Sequence, residues 1–277
     1  MKDFIYLVQG QSDLVKNYFH LQTRKNADAI FLTYDKPVQG AVFFPDSSWA
    51  QGRNKLLDLA LAKNQYTYYV FCDDDIAFIK GGFDEFETGT IKLQPSISVP
   101  VVPKTDHLQI KFLQYQSILI NDEQMIAFHK DVVADRIVLP YQEQFDHIHW
   151  WSTAEIQEIL IRNFYVESAV QLNNVKILNA CHERYSITPG LDSFRKIVRN
   201  WLSTQFRKKY KDINSRKEIM LLQILWKSLN DRFARYFRFY PDDHLIRKNI
   251  CKKLLDHDSE VFRRYLENKQ QPTTQPG

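Results

Sequence analysis

Three consecutive aspartates, Asp73, Asp74 and Asp75, directly follow an apolar run over residues 68–72. Ionised carboxylates are rarely buried without a partner, so we expect these acids where a strand ends and faces solvent or a cation. Side chains alternate along an extended chain, which predicts that Asp73 and Asp75 point to one side and Asp74 to the other. Oxygen ligands favour Mg²⁺ or Mn²⁺, which can bridge two phosphates. The plainer interpretation is three acids that solvate a turn.

A second group, Gly52-Arg53-Asn54, opens a predicted helix roughly twenty residues before the acids. Backbone N–H groups at a helix N-terminus and a guanidinium both suit phosphate oxygens. The alternative for Arg53 is a surface salt bridge. Together with the acids, this group predicts a site for a phosphorylated ligand.

Apolar runs rich in β-branched and aromatic residues alternate with helical patterns, which predicts an α/β sheet with crossover helices. The predicted strands cover residues 4–8, 29–33, 41–44, 68–72, 97–102, 117–120, 165–170 and 175–178, and the predicted helices 13–21, 52–63, 130–134 and 152–163. Ligands of open α/β sheets usually bind at the carboxyl ends of the strands, where the acids are expected.

A helix that opens with Gly-Arg-Asn, followed by a strand that ends in Asp-Asp-Asp, resembles the nucleotide-binding half of GT-A glycosyltransferases. The resemblance implies a single sheet flanked by helices over residues 1–190 and a UDP-sugar or similar nucleotide-sugar as donor. It implies that the donor is held by Gln9, Gly10, Asp35, Arg53, Asn54, Asp73 and Asp74. A loop cap is the alternative role for Asp35.

The resemblance also implies a Mn²⁺ or Mg²⁺ site formed by Asp73, Asp75 and His182, because His182 resembles the late histidine that completes the metal sphere in this family. A lone histidine is otherwise more often structural.

The segment around Trp150 and Trp151 resembles the acceptor side of the family. Aromatic faces stack on the apolar side of a pyranose, so both are acceptor-binding candidates, with core packing as the alternative. Inverting members place an acidic base at this helix start, whereas this chain has Ser152 and Thr153. The nearest acids, Asp146 and Glu155, are therefore the catalytic candidates.

The last third of the sequence is basic and helical in pattern. Residues 1–192 carry 17 Lys/Arg against 24 Asp/Glu, whereas residues 193–269 carry 20 against 9. Basic residues interleaved with aromatics predict a helical extension over 191–269 that meets an anionic membrane surface or packs on the catalytic domain. No nucleic-acid motif accompanies the charge, so nucleic acid ranks last. The polar, Pro-containing tail 270–277 is predicted to be disordered.

Hydrophobic residues make up 44% of the chain, enough for a real core, and the three cysteines are far apart and odd in number. These features predict a cytoplasmic protein, peripheral on the membrane if the basic extension binds lipid. The predicted reaction is metal-dependent transfer of a sugar, from UDP-hexose as first candidate, to a hydroxyl of a glycan or glycolipid. Two alternatives stay open: a non-catalytic glycan- or membrane-binding protein of the same fold, and a sugar nucleotidyltransferase. The nucleotidyltransferase is disfavoured because residues 9–12 lack a basic phosphate-loop residue.

Overall fold

The computed structural model describes residues 2–63, 65–106, 109, 113–118, 122–146, 151–165 and 168–180. Over this range the chain forms a central sheet with helices on both faces, which confirms the predicted α/β class. The predicted boundary at 190/191, the basic extension and the tail lie outside the described residues. None of the described helices combines the length and apolar composition needed to cross a membrane.

Nine strands form the sheet within the described residues. They are β1 (Phe4–Gly10), β2 (Ala27–Thr33), β3 (Val42–Phe43), β4 (Tyr68–Asp73), β5 (Ile76–Lys80), β6 (Ile97–Val101), β7 (Tyr115–Ser117), β8 (Met125–His129) and β9 (Ala169–Asn179). Their order is β3-β2-β1-β4-β8-β6-β9-β5, and β7 pairs with β9.

Helices cover the two faces of the sheet. They are α1 (Ser12–Val15), which continues into a 3-10 helix (Lys16–Thr23), α2 (Trp49–Lys63), α3 (Phe83–Leu93), α4 (Pro103–Asp106), α5 (Lys130–Asp135) and α6 (Ser152–Phe164). Apolar side chains of α2, α5 and α6 share one core cluster with one face of the sheet. Those of α1, the 3-10 helix and α3 share a second cluster on the other face.

The parallel half of the sheet aligns the ends of three strands. Strand β1 pairs in parallel with β2 and β4, with Gly10 opposite Thr33 and Gln9 opposite Asp73. The loops after β1, β2 and β4 therefore leave the sheet at one edge. This is the edge at which ligands of such sheets usually bind.

Strand β8 runs antiparallel to β4, with Met125 opposite Cys72. The amino end of β8 therefore lies at the carboxyl end of β4, and the Asp73 amide donates to the Gln124 carbonyl at 2.8 Å. Residues 122–124 thus lie beside the end of β4, on the side of that strand away from β1.

Strand β9 brings the described part of the chain back to the same edge. It pairs antiparallel with β5, with Asn179 opposite Ile76, and the Ala180 amide donates to the Asp75 carbonyl at 2.8 Å. Two short strands were predicted at 165–170 and 175–178, and the structure instead has one long strand. Its interior tolerates polar residues because the buried Asn173 amide donates to the Leu113 carbonyl and to Gln116, at 3.2 and 3.1 Å.

Helix α2 begins at Trp49, three residues before the predicted start. Ser48 and Gln51 form a capping box: the Gln51 amide donates to Ser48 Oγ at 3.2 Å, and the Ser48 amide donates to Gln51 Oε1 at 2.9 Å. This pair satisfies two donors that would otherwise lack partners at the helix start. The first turn of α2 is thereby fixed against the sheet edge.

Asp135, at the end of α5, gives a pH-dependent prediction. Burial raises its pKa to about 6, nearby Asp131 adds to this, and a long hydrogen bond from Tyr165 at 3.4 Å only partly offsets it. A raised pKa of an acid means that the folded protein holds the proton more tightly than the unfolded chain. The stability contributed by the proton is therefore complete below about pH 4 and lost as the pH rises through about 6.

We therefore expect Asp135→Asn to stabilise the protein at pH 8 and to have little effect at pH 4, because Asn stays neutral throughout. Urea unfolding across this range measures the difference, and Asp58→Asn on the exposed side of α2 is the control. A stability gain that is the same at both pH values would contradict the assignment.

Candidate functional site

The candidate site lies at the carboxyl edge of β1, β2 and β4. Gln9 and Gly10 end β1, Tyr34 and Asp35 follow β2, and the acids 73–75 end and follow β4. The resemblance implies that Gln9, Gly10, Asp35, Asp73 and Asp74 hold one donor, and the strand register places the ends of β1, β2 and β4 at one edge.

Arg53 lies beneath this edge rather than on it. Its side chain is 1% exposed, and its Nη2 donates to Asp73 Oδ1 and to the Glu123 carbonyl, each at 2.7 Å. Its Nη1 donates to the Tyr141 hydroxyl at 3.0 Å. The resemblance implies that Arg53 helps to hold the donor; in this structure its guanidinium is enclosed and contacts Asp73, Glu123 and Tyr141 of the chain itself.

Aromatic rings enclose the guanidinium. Its central carbon lies 4.0 Å from the centroid of the Trp49 ring and 5.5 Å from those of Phe71 and Tyr141. A cation over the negative face of an aromatic ring is attracted to it, most strongly where water is excluded. These contacts partly replace the hydration that Arg53 loses on burial.

Glu123 is a site residue that the sequence reasoning missed. Its Oε2 lies 3.6 Å from Arg53 Nη1 and accepts from the Tyr141 hydroxyl at 3.1 Å. With its amide nitrogen facing the carboxylate, Gln157 of α6 donates to both Glu123 oxygens at 2.6 Å. Its position follows from the direction of β8, which places residues 122–124 at this edge, and no local sequence pattern indicates it.

One guanidinium therefore serves two carboxylates, the buried Glu123 and the partly exposed Asp73. Burial raises the pKa of Asp73 and of Glu123 to about 7, and the neighbouring Asp122 adds to both shifts. Arg53 acts in the opposite direction on each. Each carboxylate therefore binds a proton more readily than an exposed carboxylate does, and Arg53 favours the ionised form of both.

The Asp74 side chain packs against the turn after β1. Its Oδ2 accepts from the Gln11 amide at 2.5 Å. A Cβ at Gly10 would lie 2.0 Å from the carboxyl carbon of Asp74, so the glycine is what permits this approach. The Gln9 side chain packs in the same way against the backbone of Gly52, because a Cβ at Gly52 would lie 2.3 Å from the Nε2 atom of Gln9. Both glycines thus bring polar side chains of the edge close to the backbone.

Asp35 caps the start of α1. Its two carboxylate oxygens accept from the amide and the hydroxyl of Ser12, each at 2.8 Å. Burial opposes ionisation slightly, but the Ser12 hydrogen bonds lower the pKa of Asp35. The loop-cap alternative is therefore what the structure has. The neighbouring Tyr34 ring is 38% exposed at the same edge.

Asn54, predicted to bind the donor, is engaged by the chain itself. Its side-chain oxygen accepts from the Tyr141 amide at 2.7 Å, and its Nδ2 donates to the Tyr141 carbonyl at 2.9 Å and to Glu143 at 2.6 Å. This reciprocal pair holds the loop that carries Tyr141 over Arg53. Asn54 therefore acts through the loop in this structure.

Asp146 joins the starts of two helices. It accepts hydrogen bonds from the Ser48 hydroxyl, before α2, and from the Thr153 hydroxyl of α6 at 2.9 Å. Glu155 lies half-buried in the first turn of α6. Trp151 precedes that helix and packs against the core cluster, and Trp150 lies outside the described residues.

The predicted metal ligands are only partly described. Asp73 is 21% exposed with one oxygen on Arg53, Asp75 is nearly buried beside it, and His182 lies outside the described residues. Among the described residues, no group of three His, Cys, Asp or Glu side chains is arranged to hold a metal ion. Two carboxylates nevertheless fit a cation of the Mg²⁺ type, which commonly binds one or two carboxylates together with substrate phosphates.

No protein-family model matches the chain, and no curated protein matches it. Structural neighbours include A197 from STIV, with a TM-score of 0.43 and 13% identity over 68% of this chain and 90% of that chain. They also include GT-A glycosyltransferases. GalNAc-T7 with UDP, GalNAc and Mn²⁺ has a TM-score of 0.48 and 9% identity over 76% of this chain and 50% of that chain. TarS 1–349 of S. aureus has a TM-score of 0.46 and 11% identity over 94% of this chain and 82% of that chain.

The close approach of Gly10 and Asp74 can be tested by adding one methyl group. In Gly10→Ala the new Cβ would lie 2.1 Å from the Asp74 Cβ, so Asp74 has to move. We expect a loss of roughly 1 to 3 kcal/mol in the free energy of unfolding, typical of overpacking. Gly82→Ala is the control, since its Cβ would meet only a Glu85 oxygen at 3.4 Å. Equal losses in both variants, measured by urea unfolding, would show that Asp74 is not held in place.

Proposed function

We propose that the chain is a metal-dependent glycosyltransferase of the GT-A type, which transfers a sugar from a nucleotide-sugar to a hydroxyl of a glycan or glycolipid. UDP-hexose is the first candidate for the donor. The observation that carries the proposal is the acidic edge itself. Asp73, Asp74 and Asp75 lie at the carboxyl ends of parallel strands, and buried Arg53 anchors Asp73 from below.

The proposed donor site extends from the acids toward the end of β2. Gln9 and Gly10 would lie against the nucleotide, and the exposed Tyr34 ring, in contact with this edge, offers a face for a base. Asp35 supports this surface by fixing the start of α1 through Ser12. Arg53 and Asn54 support the site from behind, because their polar groups bind Asp73 and the Tyr141 loop.

Asp75 and the outward part of Asp73 are the proposed metal ligands, and His182 is the proposed third. The described chain ends at Ala180, whose amide is bonded to the Asp75 carbonyl, and His182 follows two residues later. A bound Mn²⁺ or Mg²⁺ would neutralise the charge that develops on the departing diphosphate. The two acids repel each other when both are ionised. Arg53 holds the Asp73 side chain, and the Ala180 amide holds the Asp75 backbone.

The proposed acceptor side begins at α6. Trp151 and Trp150 precede this helix, and Glu155 in its first turn is our first choice for the catalytic acid or base. Asp146 is the weaker choice, since Ser48 and Thr153 already donate to it. Its hydrogen bonds instead hold the acceptor-side helix to the start of α2.

The proposal predicts cation-dependent binding of UDP, measured by calorimetry with and without Mn²⁺. Asp75→Asn keeps the side-chain volume but removes the charge, so we expect it to abolish the Mn²⁺-dependent binding while the folded spectrum is retained. The control is Asp58→Asn, on the exposed side of α2, which should bind like the parent protein. A panel of nucleotide-sugars, followed by slow donor hydrolysis, would then identify the sugar.

Two results would overturn the proposal. Absence of any Mn²⁺-dependent nucleotide heat favours the non-catalytic glycan- or membrane-binding alternative. Donor hydrolysis that is unchanged by EDTA excludes a metal-dependent reaction.

We further propose that residues 193–269 attach the enzyme to the cytoplasmic face of an anionic membrane, because this segment carries 20 Lys/Arg against 9 Asp/Glu. Each basic residue near such a surface contributes about 1 kcal/mol, and salt screens the attraction. Full-length protein should therefore co-sediment with vesicles containing acidic lipid at low salt, less at high salt, and not with neutral vesicles. Equal binding to neutral vesicles, or none to acidic ones, would contradict this attachment.

A further inference from the structure

Two buried groups of the same chemistry lie on opposite faces of the sheet. In the first, here called the Arg53 triad, Glu123 accepts from Tyr141 and lies beside Arg53. In the second, the Arg24 triad, Glu87 Oε1 accepts from the Tyr6 hydroxyl at 2.8 Å and from Arg24 Nε at 2.9 Å. Glu123 and Glu87 are 6% and 8% exposed, so the two glutamates are closely matched.

The two triads differ in the second carboxylate that the arginine binds. Arg24 also binds Asp84, whose side chain is 84% exposed on the first turn of α3. Arg53 instead binds Asp73, the first acid of the triplet, at 2.7 Å. Only the Arg53 triad, of these two, is thus connected to the candidate site.

Because Arg53 is shared between two carboxylates, it neutralises the charge of Asp73 less completely. If Asp73 were its sole partner, the two would form a closed neutral pair, and the attraction of Asp73 for a metal ion would fall. Glu123 competes for the same charge and adds a negative charge of its own close to the acids. The group of Arg53, Asp73 and Glu123, with both acids ionised, therefore stays negative toward the edge.

The position of Glu123 is itself fixed from α6. Gln157, one turn after the Thr153 that binds Asp146, donates to both Glu123 oxygens at 2.6 Å. Tyr141 donates to the same carboxylate, and Asn54 holds the Tyr141 backbone. The carboxylate of Glu123 is therefore ordered by groups that do not belong to the edge.

We propose that Glu123 is a positioning residue: by sharing the Arg53 guanidinium with Asp73, it holds the Asp73 carboxylate at the sheet edge without neutralising it, and so strengthens the binding of a divalent cation there. This inference rests on the proposed function, because it takes the acids as the cation site. Glu123 acts through Arg53 and contacts neither the cation nor the nucleotide.

The test compares Glu123→Gln, Glu123→Asp and the matched control Glu87→Gln in the full chain. Electron paramagnetic resonance of free Mn²⁺ measures the affinity for the metal alone, and calorimetry measures UDP binding at saturating Mn²⁺. We expect Glu123→Gln to weaken Mn²⁺ binding by about 10- to 100-fold, the range seen when an outer-shell group that positions a metal ligand is replaced. Glu123→Asp, which keeps the charge, should recover most of this loss.

Glu87→Gln separates positioning from general stability. Urea unfolding should show that it destabilises the protein to an extent similar to Glu123→Gln, because each removes a buried charge beside an arginine. Its Mn²⁺ affinity should nevertheless equal that of the parent protein. Equal weakening of Mn²⁺ binding in Glu87→Gln and Glu123→Gln, or no weakening in Glu123→Gln, would overturn the positioning role.

The two measurements also distinguish this inference from the proposed function. A protein that binds Mn²⁺ with the expected Glu123 dependence but binds no UDP supports the positioning role and overturns the nucleotide-sugar proposal. One that binds UDP with Mn²⁺ independently of Glu123 does the reverse. A protein that binds neither overturns both.

Discussion

A guanidinium that keeps its charge at any ordinary pH lies between the sheet and α2, and the surrounding structure is arranged around it. Burial alone would lower the pKa of Arg53, but Tyr141, Asp73 and Glu123 together raise it above its usual value. Removing one partner from a buried charge pair typically costs about 3 to 5 kcal/mol, because the remaining charge has lost both water and its counter-ion. Arg53 therefore requires contacts from three separate segments at once: the loop that carries Tyr141, the segment before β8 and the end of β4.

This constraint links the stability of the fold to the chemistry of its edge. The same contacts that satisfy Arg53 fix Asp73, and Asp73 begins the acidic triplet. Asp146 adds a second connection by joining Ser48, just before α2, to Thr153 in the first turn of α6. The donor and acceptor sides of the proposed enzyme are thereby parts of one polar framework.

The sequence predicted those parts of this framework that depend on local pattern. The apolar run before the acids reads as a strand, and β4 ends at Asp73 as expected. The helix containing Arg53 also forms, with Leu56, Leu57 and Ala60 buried and Leu61 exposed. Strand β5 and helix α3 were not predicted.

The parts that the sequence could not predict depend on long-range pairing. Nothing near Glu123 indicates that it lies beside Arg53, because that contact requires β8 to run antiparallel to β4. A guanidinium is usually exposed, so the local pattern around Arg53 favoured a ligand or a surface salt bridge over a buried position. The single strand β9 was divided into two in the prediction because buried amides such as Asn173 resemble loop residues until their partners are known.

The hydrogen bond from Ala180 to the Asp75 carbonyl has a further consequence. The remaining 97 residues, 181–277, are attached to the sheet directly beside the acids. For a side chain shortly after Ala180, contact with the edge is an intramolecular event, with an effective concentration on the order of millimolar or higher. The basic segment 193–269 is thus covalently joined to the sheet at a point beside the acids. Any such contact that changes when a ligand binds at the edge is thermodynamically linked to that binding.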